Sequence, residues 1–182
     1  GLRTKKPKYY EDDASSEKGQ TPLHLAAKNG HLSMCQWLME NKAATDIVDY
    51  HGKTPLHVAA EHGHLEICKL ILQIMQGTKS KNKYSDYVDD PDFDEHPLTP
   101  IHLAASNGHL KIVQLLMKTM DNKNPQTCYV DDCDCERKTL LHLAAENGHQ
   151  AICELILQHI EEIPIPPYTD ADPFQLAAQN GH

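Results

Sequence analysis

The sequence predicts an all-α solenoid of stacked helix pairs, and three observations carry that prediction. One eleven-residue segment recurs five times: TPLHLAAKNGH from Thr21, TPLHVAAEHGH from Thr54, TPIHLAASNGH from Thr99, TLLHLAAENGH from Thr139 and DPFQLAAQNGH from Asp172. Its closing histidines, at 31, 64, 109, 149 and 182, are spaced by 33, 45, 40 and 33 residues. Extra length confined to one phase of a repeat falls in the loops between stacked modules. Composition agrees: 40% of residues are hydrophobic but only 5% aromatic, and a core of Leu, Ile and Ala favours packed helices over sheets.

Each element has a local reason. Thr21, Thr54, Thr99 and Thr139 stand where a side-chain oxygen caps a helix, and Pro22, Pro55 and Pro100 suit the first helical position. The Leu-His-Leu-Ala-Ala run after each cap is a short helix whose paired alanines admit a close neighbour. Gly30, Gly63, Gly108, Gly148 and Gly181 mark where it stops and reverses. A second helix follows, as in HLEICKLILQI, where Leu65, Ile67, Cys68, Leu70, Ile71 and Leu72 recur at helical spacing, and Leu70 is expected to be buried. Cys35, Cys68 and Cys153 occupy one slot of this helix and Val113 fills it in the remaining full repeat, so the slot reads as small and apolar. The unit is helix, tight turn, helix, then a loop to the next cap.

These residues resemble the ankyrin repeat family, whose pattern is T-P-L-H-x-A-A followed by G-H with a period of about 33. The resemblance runs from about Glu17 to His182. It implies four full helix-turn-helix repeats, a truncated fifth and two long inter-repeat loops. Residues 1–16 form an N-terminal tail, 17–182 the array, and the inserts fall at about 76–95 and 120–135. The family's Asp-x-x-Gly hairpin tip is present in DYHGKT, from Asp49 to Thr54. Pro97 and Arg137 replace the glycine in the next two tips, which are expected to turn differently. The last unit departs furthest, with Asp172 and Gln175 at the Thr and His positions.

The resemblance further implies a protein-interaction module that binds through the concave face formed by hairpin tips and first helices. The contact positions it implies are Lys28 and Asn29 in the first repeat, and Tyr50, His51, Lys53, Glu61 and His62 in the second. In the third they are Glu95, His96, Leu98, Ser106 and Asn107, and in the fourth Glu136, Lys138, Glu146 and Asn147. Acids cluster near the tips, namely Asp46 and Asp49, then Asp92, Asp94 and Glu95, then Asp131, Asp132, Asp134 and Glu136. Stacked along one edge, they would sum to an acidic rim suited to a basic segment of a partner protein. Two alternatives stand beside this reading: an internal scaffold of a larger channel, enzyme or adaptor, and a redox or metal sensor built on the cysteine-rich insert.

Catalysis is not expected. Nine of the 13 histidines are repeat positions, which the resemblance assigns to bonding between turns, and copies 33 residues apart lie side by side without converging. No phosphate loop, zincin motif or nucleophile elbow is present. In the second insert, Cys128, Cys133 and Cys135 accompany Asp131, Asp132 and Asp134, but their spacing lacks the paired C-x₂-C knuckle of structural zinc. The first insert runs from Lys79, Lys81 and Lys83 to a carboxylate cluster without the alternation of an EF-hand. Both inserts read as solvated loops, and no metal or cofactor is expected.

The formal net charge of −9 argues against nonspecific nucleic-acid binding. No run approaches the roughly 20 apolar residues of a membrane span, so membrane insertion is not expected. The opening GLRTKKPKYYEDD has no apolar core, so it does not read as a signal peptide. Unpaired core cysteines point to a reducing compartment, the cytoplasm, with the nucleus as the alternative. In the fifth unit Phe174, Leu176 and Ala177 begin a helix pair whose second member is not in the sequence. The expectation is that the natural chain continues, or that the C-terminal end self-associates weakly.

Overall fold

The computed structural model describes residues 19–77, 98–120, 139–160 and 178–181. Among them are eight helices and no strand: α1 (Pro22–Lys28), α2 (Leu32–Glu40), α3 (Pro55–Glu61), α4 (Leu65–Gly77), α5 (Pro100–Ser106), α6 (Leu110–Met120), α7 (Leu140–Glu146) and α8 (Gln150–Ile160). They pair as α1–α2, α3–α4, α5–α6 and α7–α8, and the pairs stack in chain order. The first helices pack on one another as one row, α1 on α3, α3 on α5 and α5 on α7, and the second helices form a parallel row. The remaining residues of both inserts and of the fifth unit lie outside the described residues, although α4 runs through Gly77, just past the expected start of the first insert.

Helix starts follow the cap chemistry. His24 Nε2 lies 2.8 Å from the Lys53 carbonyl oxygen. A carbonyl can only accept, so Nε2 carries the ring proton and Nδ1 is left as an acceptor. Nδ1 accepts from the Thr21 backbone N–H at 3.2 Å, while Thr21 Oγ1 accepts from the His24 backbone N–H at 3.4 Å. Two otherwise orphaned donors of the first turn are thereby satisfied. Thr54 and His57 repeat the arrangement at 3.1 and 3.4 Å. Thr99 differs in making no side-chain bond to the helix backbone, but its Oγ1 lies 2.7 Å from His102 Nδ1, the same pairing that Thr21 makes with His24 and Thr54 with His57 at 2.8 and 2.7 Å.

Helix ends depend on glycine for two reasons at once. Gly63 has φ +79, and a Cβ there would stand 2.6 Å from Cε1 of His109. The positive φ strains any L side chain, and the histidine ring fills the space it would need. That ring is present because His109 Nε2 donates to the Glu61 carbonyl at 3.0 Å. His64 donates likewise to the Lys28 carbonyl at 2.9 Å, and His149 to the Ser106 carbonyl at 2.9 Å. Every described repeat after the first is therefore tied to the end of the preceding first helix.

The core lies between the rows. The alanine pairs of α1, α3, α5 and α7 are 0–6% exposed, which lets neighbouring first helices approach closely. Ile71, Ile67 and Cys68 of α4 are buried, as are Ile112, Val113 and Leu116 of α6. Leu70, expected to be buried, is only half-buried; the face of α4 that meets the core centres on Ile67 and Ile71, four residues apart, and Leu70 sits at its margin. Each fully buried Leu or Ile contributes about 1.5–3 kcal/mol relative to exposure.

Candidate partner-binding face

The tip before α3 is held from inside by Asp49. Its Oδ1 accepts from the backbone N–H of His51 at 2.9 Å and of Lys53 at 3.0 Å. Its Oδ2 accepts from Gln20 Nε2 at 3.3 Å, and Gly52 turns at φ +70. The side chain is 1% exposed. This corrects the acidic-rim expectation at one position: Asp49 is a buried turn-former whose charge is satisfied by donors of its own loop. Asp46 is exposed. The other rim acids, Asp92, Asp94, Glu95, Asp131, Asp132, Asp134 and Glu136, lie outside the described residues.

With the loop fixed this way, Tyr50 and His51 stand exposed at its apex, and Tyr50 is 50% exposed. One side of the Tyr50 ring lies over Gly19, where a Cβ would meet Cδ1 at 2.7 Å. The aromatic anchor is thus packed on the array along one side and presented outward on the other.

Lys53 and Glu61, both implied contact positions, are partners of each other. Lys53 Nζ donates to both carboxylate oxygens, at 2.9 and 2.7 Å. The pair spans α3, about 10 Å long at 1.5 Å per residue, and joins the tip to the far end of the helix. Four more positions close their own helices. Asn29, Asn107 and Asn147 each donate Nδ2 to the carbonyl four residues back at 2.8 Å, and His62 uses Nδ1 on the Val58 carbonyl at 3.0 Å. Sequence reasoning placed these residues at helix ends without assigning them that capping bond.

The helix-end positions form a continuous row from repeat to repeat. Asn147 Nδ2 reaches Ser106 Oγ at 3.4 Å, and Asn180 Nδ2 reaches the Glu146 carbonyl at 3.2 Å. Lys28, Ser106 and Glu146 are half-buried in this row, while Asn29, His62, Asn107 and Asn147 are exposed. Leu98 is half-buried just ahead of α5. Glu95, His96, Glu136 and Lys138 lie outside the described residues. The described candidates therefore fall into two linked groups, a tip at the start of α3 and a row of first-helix ends.

Burial shifts two histidines and three thiols of the array toward their uncharged forms. Burial lowers His24, partly offset by its bond to the Lys53 carbonyl. Burial, reinforced by the Lys53 charge, lowers His57 to about 4. Burial raises the thiols of Cys35 and Cys153, and that of Cys68 to about 12, so these sulfurs are protonated packing groups. No group of three His, Cys, Asp or Glu among the described residues could hold a metal ion, and Cys128, Cys133 and Cys135 lie outside them. No described helix is long and apolar enough to cross a membrane.

The stacked pairs, capping threonines and bridging histidines define an ankyrin array. The family model described as ankyrin repeats (3 copies) matches residues 5–84 and again 82–166, and the chain belongs to the ankyrin repeat family. Among curated proteins the comparison finds no match. Ankyrin arrays are in general protein-interaction modules.

Proposed function

We propose that this array is a binding module, not an enzyme, and that it takes a basic segment of a partner protein along the first-helix row. The observation that carries the reading is Tyr50. It is half exposed at the apex of a loop whose backbone Asp49 fixes, so it can be buried by a partner with little loss of loop entropy. The charge preference is supported by the net charge of −9 and by the acids that the sequence places at successive tips. Exposed Asp46 belongs to that group and buried Asp49 does not. Free Cys35 and Cys68, buried in the core, support a reducing compartment such as the cytoplasm.

Charge acts mainly on association rate and salt sensitivity, and an aromatic anchor on residence time. With a partner captured from cell extract and identified, replacing Asp92, Asp94 and Glu95 by Asn or Gln slows association and flattens its salt dependence. Tyr50→Ala instead speeds dissociation. Surface plasmon resonance separates the two effects, and a partner whose kinetics neither change alters binds elsewhere.

A further inference from the structure

Lys53 and Glu61 hold each other across the proposed face, and what ties each of them to the fold is backbone. The N–H of Lys53 donates to Asp49 Oδ1 at 3.0 Å. Its carbonyl accepts from His24 Nε2 at 2.8 Å and from the Asp49 N–H at 2.9 Å. Glu61 likewise supports the stack through its carbonyl, which accepts from His109 Nε2 at 3.0 Å. The two side chains have one polar partner each, the other: Lys53 Nζ lies 2.9 and 2.7 Å from the carboxylate oxygens. They remain 27% and 28% exposed. A pair so open to water contributes little stability, so its place on the face calls for another reason.

The neighbours of that carboxylate are hydrogen-bond acceptors. Asn29 and Asn107 close α1 and α5, the helices packed on either side of α3. Each commits Nδ2 to its own helix at 2.8 Å, so the amide oxygen Oδ1 is left as an exposed acceptor. Lys28 and Ser106 hold the positions equivalent to Glu61 in α1 and α5, which makes Glu61 the carboxylate of this stretch. A carboxylate flanked by neutral acceptors suits a cation with several N–H donors, an ammonium or a guanidinium. In the free array that cation is the chain's own.

We infer that Glu61 is the subsite for a lysine or arginine side chain of the partner, and that Lys53 occupies it in the free array as an internal competitor. The inference rests on the basic-segment reading above and names the residue that receives one of the segment's cations. Binding exchanges one cation for another: Lys53 Nζ turns into solvent and the incoming group takes over both carboxylate oxygens. Because the tip is held by the backbone of Lys53, Tyr50 stays in place during the exchange. Lys53 thereby discriminates among ligands. It is tethered beside Glu61, so a lone cation displaces it poorly, while a cation on a segment anchored elsewhere along the row competes on equal terms.

The test titrates a short fluorescein-labelled peptide of alternating lysine and glycine into the full chain and follows anisotropy. Lys53→Met should tighten binding about two- to five-fold, the range over which an exposed ion pair competes. Glu61→Gln should weaken it, and Lys53→Met should gain nothing in the Glu61→Gln background. Lys69→Met is the charge control. It removes the same charge and also breaks an exposed ion pair, with Glu66 at 2.7 Å on α4, off the first-helix row, and it should gain distinctly less. Circular dichroism checks that each variant keeps its helices, as the backbone bonding predicts. An equal gain in Lys53→Met and Lys69→Met overturns the inference and leaves the basic-segment reading standing. So does a gain from Lys53→Met that persists without the Glu61 carboxylate. A peptide that binds neither the unsubstituted array nor Lys53→Met overturns both.

Discussion

His57 is 6% exposed, and its Nδ1 accepts from the Thr54 backbone N–H at 3.1 Å. Protonating Nδ1 would remove that acceptor and place a charge in the core near Lys53, which already lowers the group. Burial and that charge hold His57 at about 4 in the folded chain, against about 6.5 when unfolded. Between those values the unfolded chain binds the extra proton, so stability is full above about pH 6.5 and falls as pH drops toward 4. The loss from this site is on the order of 2–3 kcal/mol, and His24, lowered in the same direction, adds to it. Urea titrations at pH 7 and pH 4.5 should show the midpoint falling, and a smaller fall in His57→Gln. An equal fall in both proteins would contradict a neutral, buried His57. Asp49 illustrates the limit of sequence reading at this scale. Its place in Asp-x-x-Gly marked a turn, but the sequence groups the acid with the solvent-facing rim, whereas its carboxylate turns in to the backbone N–H groups of His51 and Lys53 and is also reached by Gln20, 29 residues away.

The helix pair is the level at which the sequence was most legible. Thr caps, Pro at the first helical position, Gly at the reversal and the apolar spacing of the second helix are all local signals. Each placed an element where the structure has it, from α1 at Pro22 to α8 at Gln150. Less legible was which side of a second helix meets its neighbours, because runs such as LILQI are apolar on more than one side. The half-burial of Leu70 shows the consequence. Ile71, 0% exposed, is the residue at the centre of that face. Ile71→Ala should cost about 2–5 kcal/mol, and Leu70→Ala distinctly less, by denaturant midpoint. Equal costs would mean that α4 is rotated from the orientation described.

At the scale of the whole molecule, repetition supplies both stability and surface. Each described pair packs chiefly on its neighbours, and the proposed binding face is the sum of tips and helix ends that successive repeats bring into line. The repeat pattern made the row of Asn29, His62, Asn107 and Asn147 predictable. The pairing of Lys53 with Glu61 was not legible, since each residue read by itself as an exposed charge. The central claim, that a partner lies along the first-helix row, is tested most directly by hydrogen-exchange mass spectrometry of the array with and without its captured partner. The account predicts slowed exchange at Tyr50–His62 and at the ends of α1, α5 and α7, with α2, α4, α6 and α8 unchanged. Protection confined to the second-helix row would contradict it.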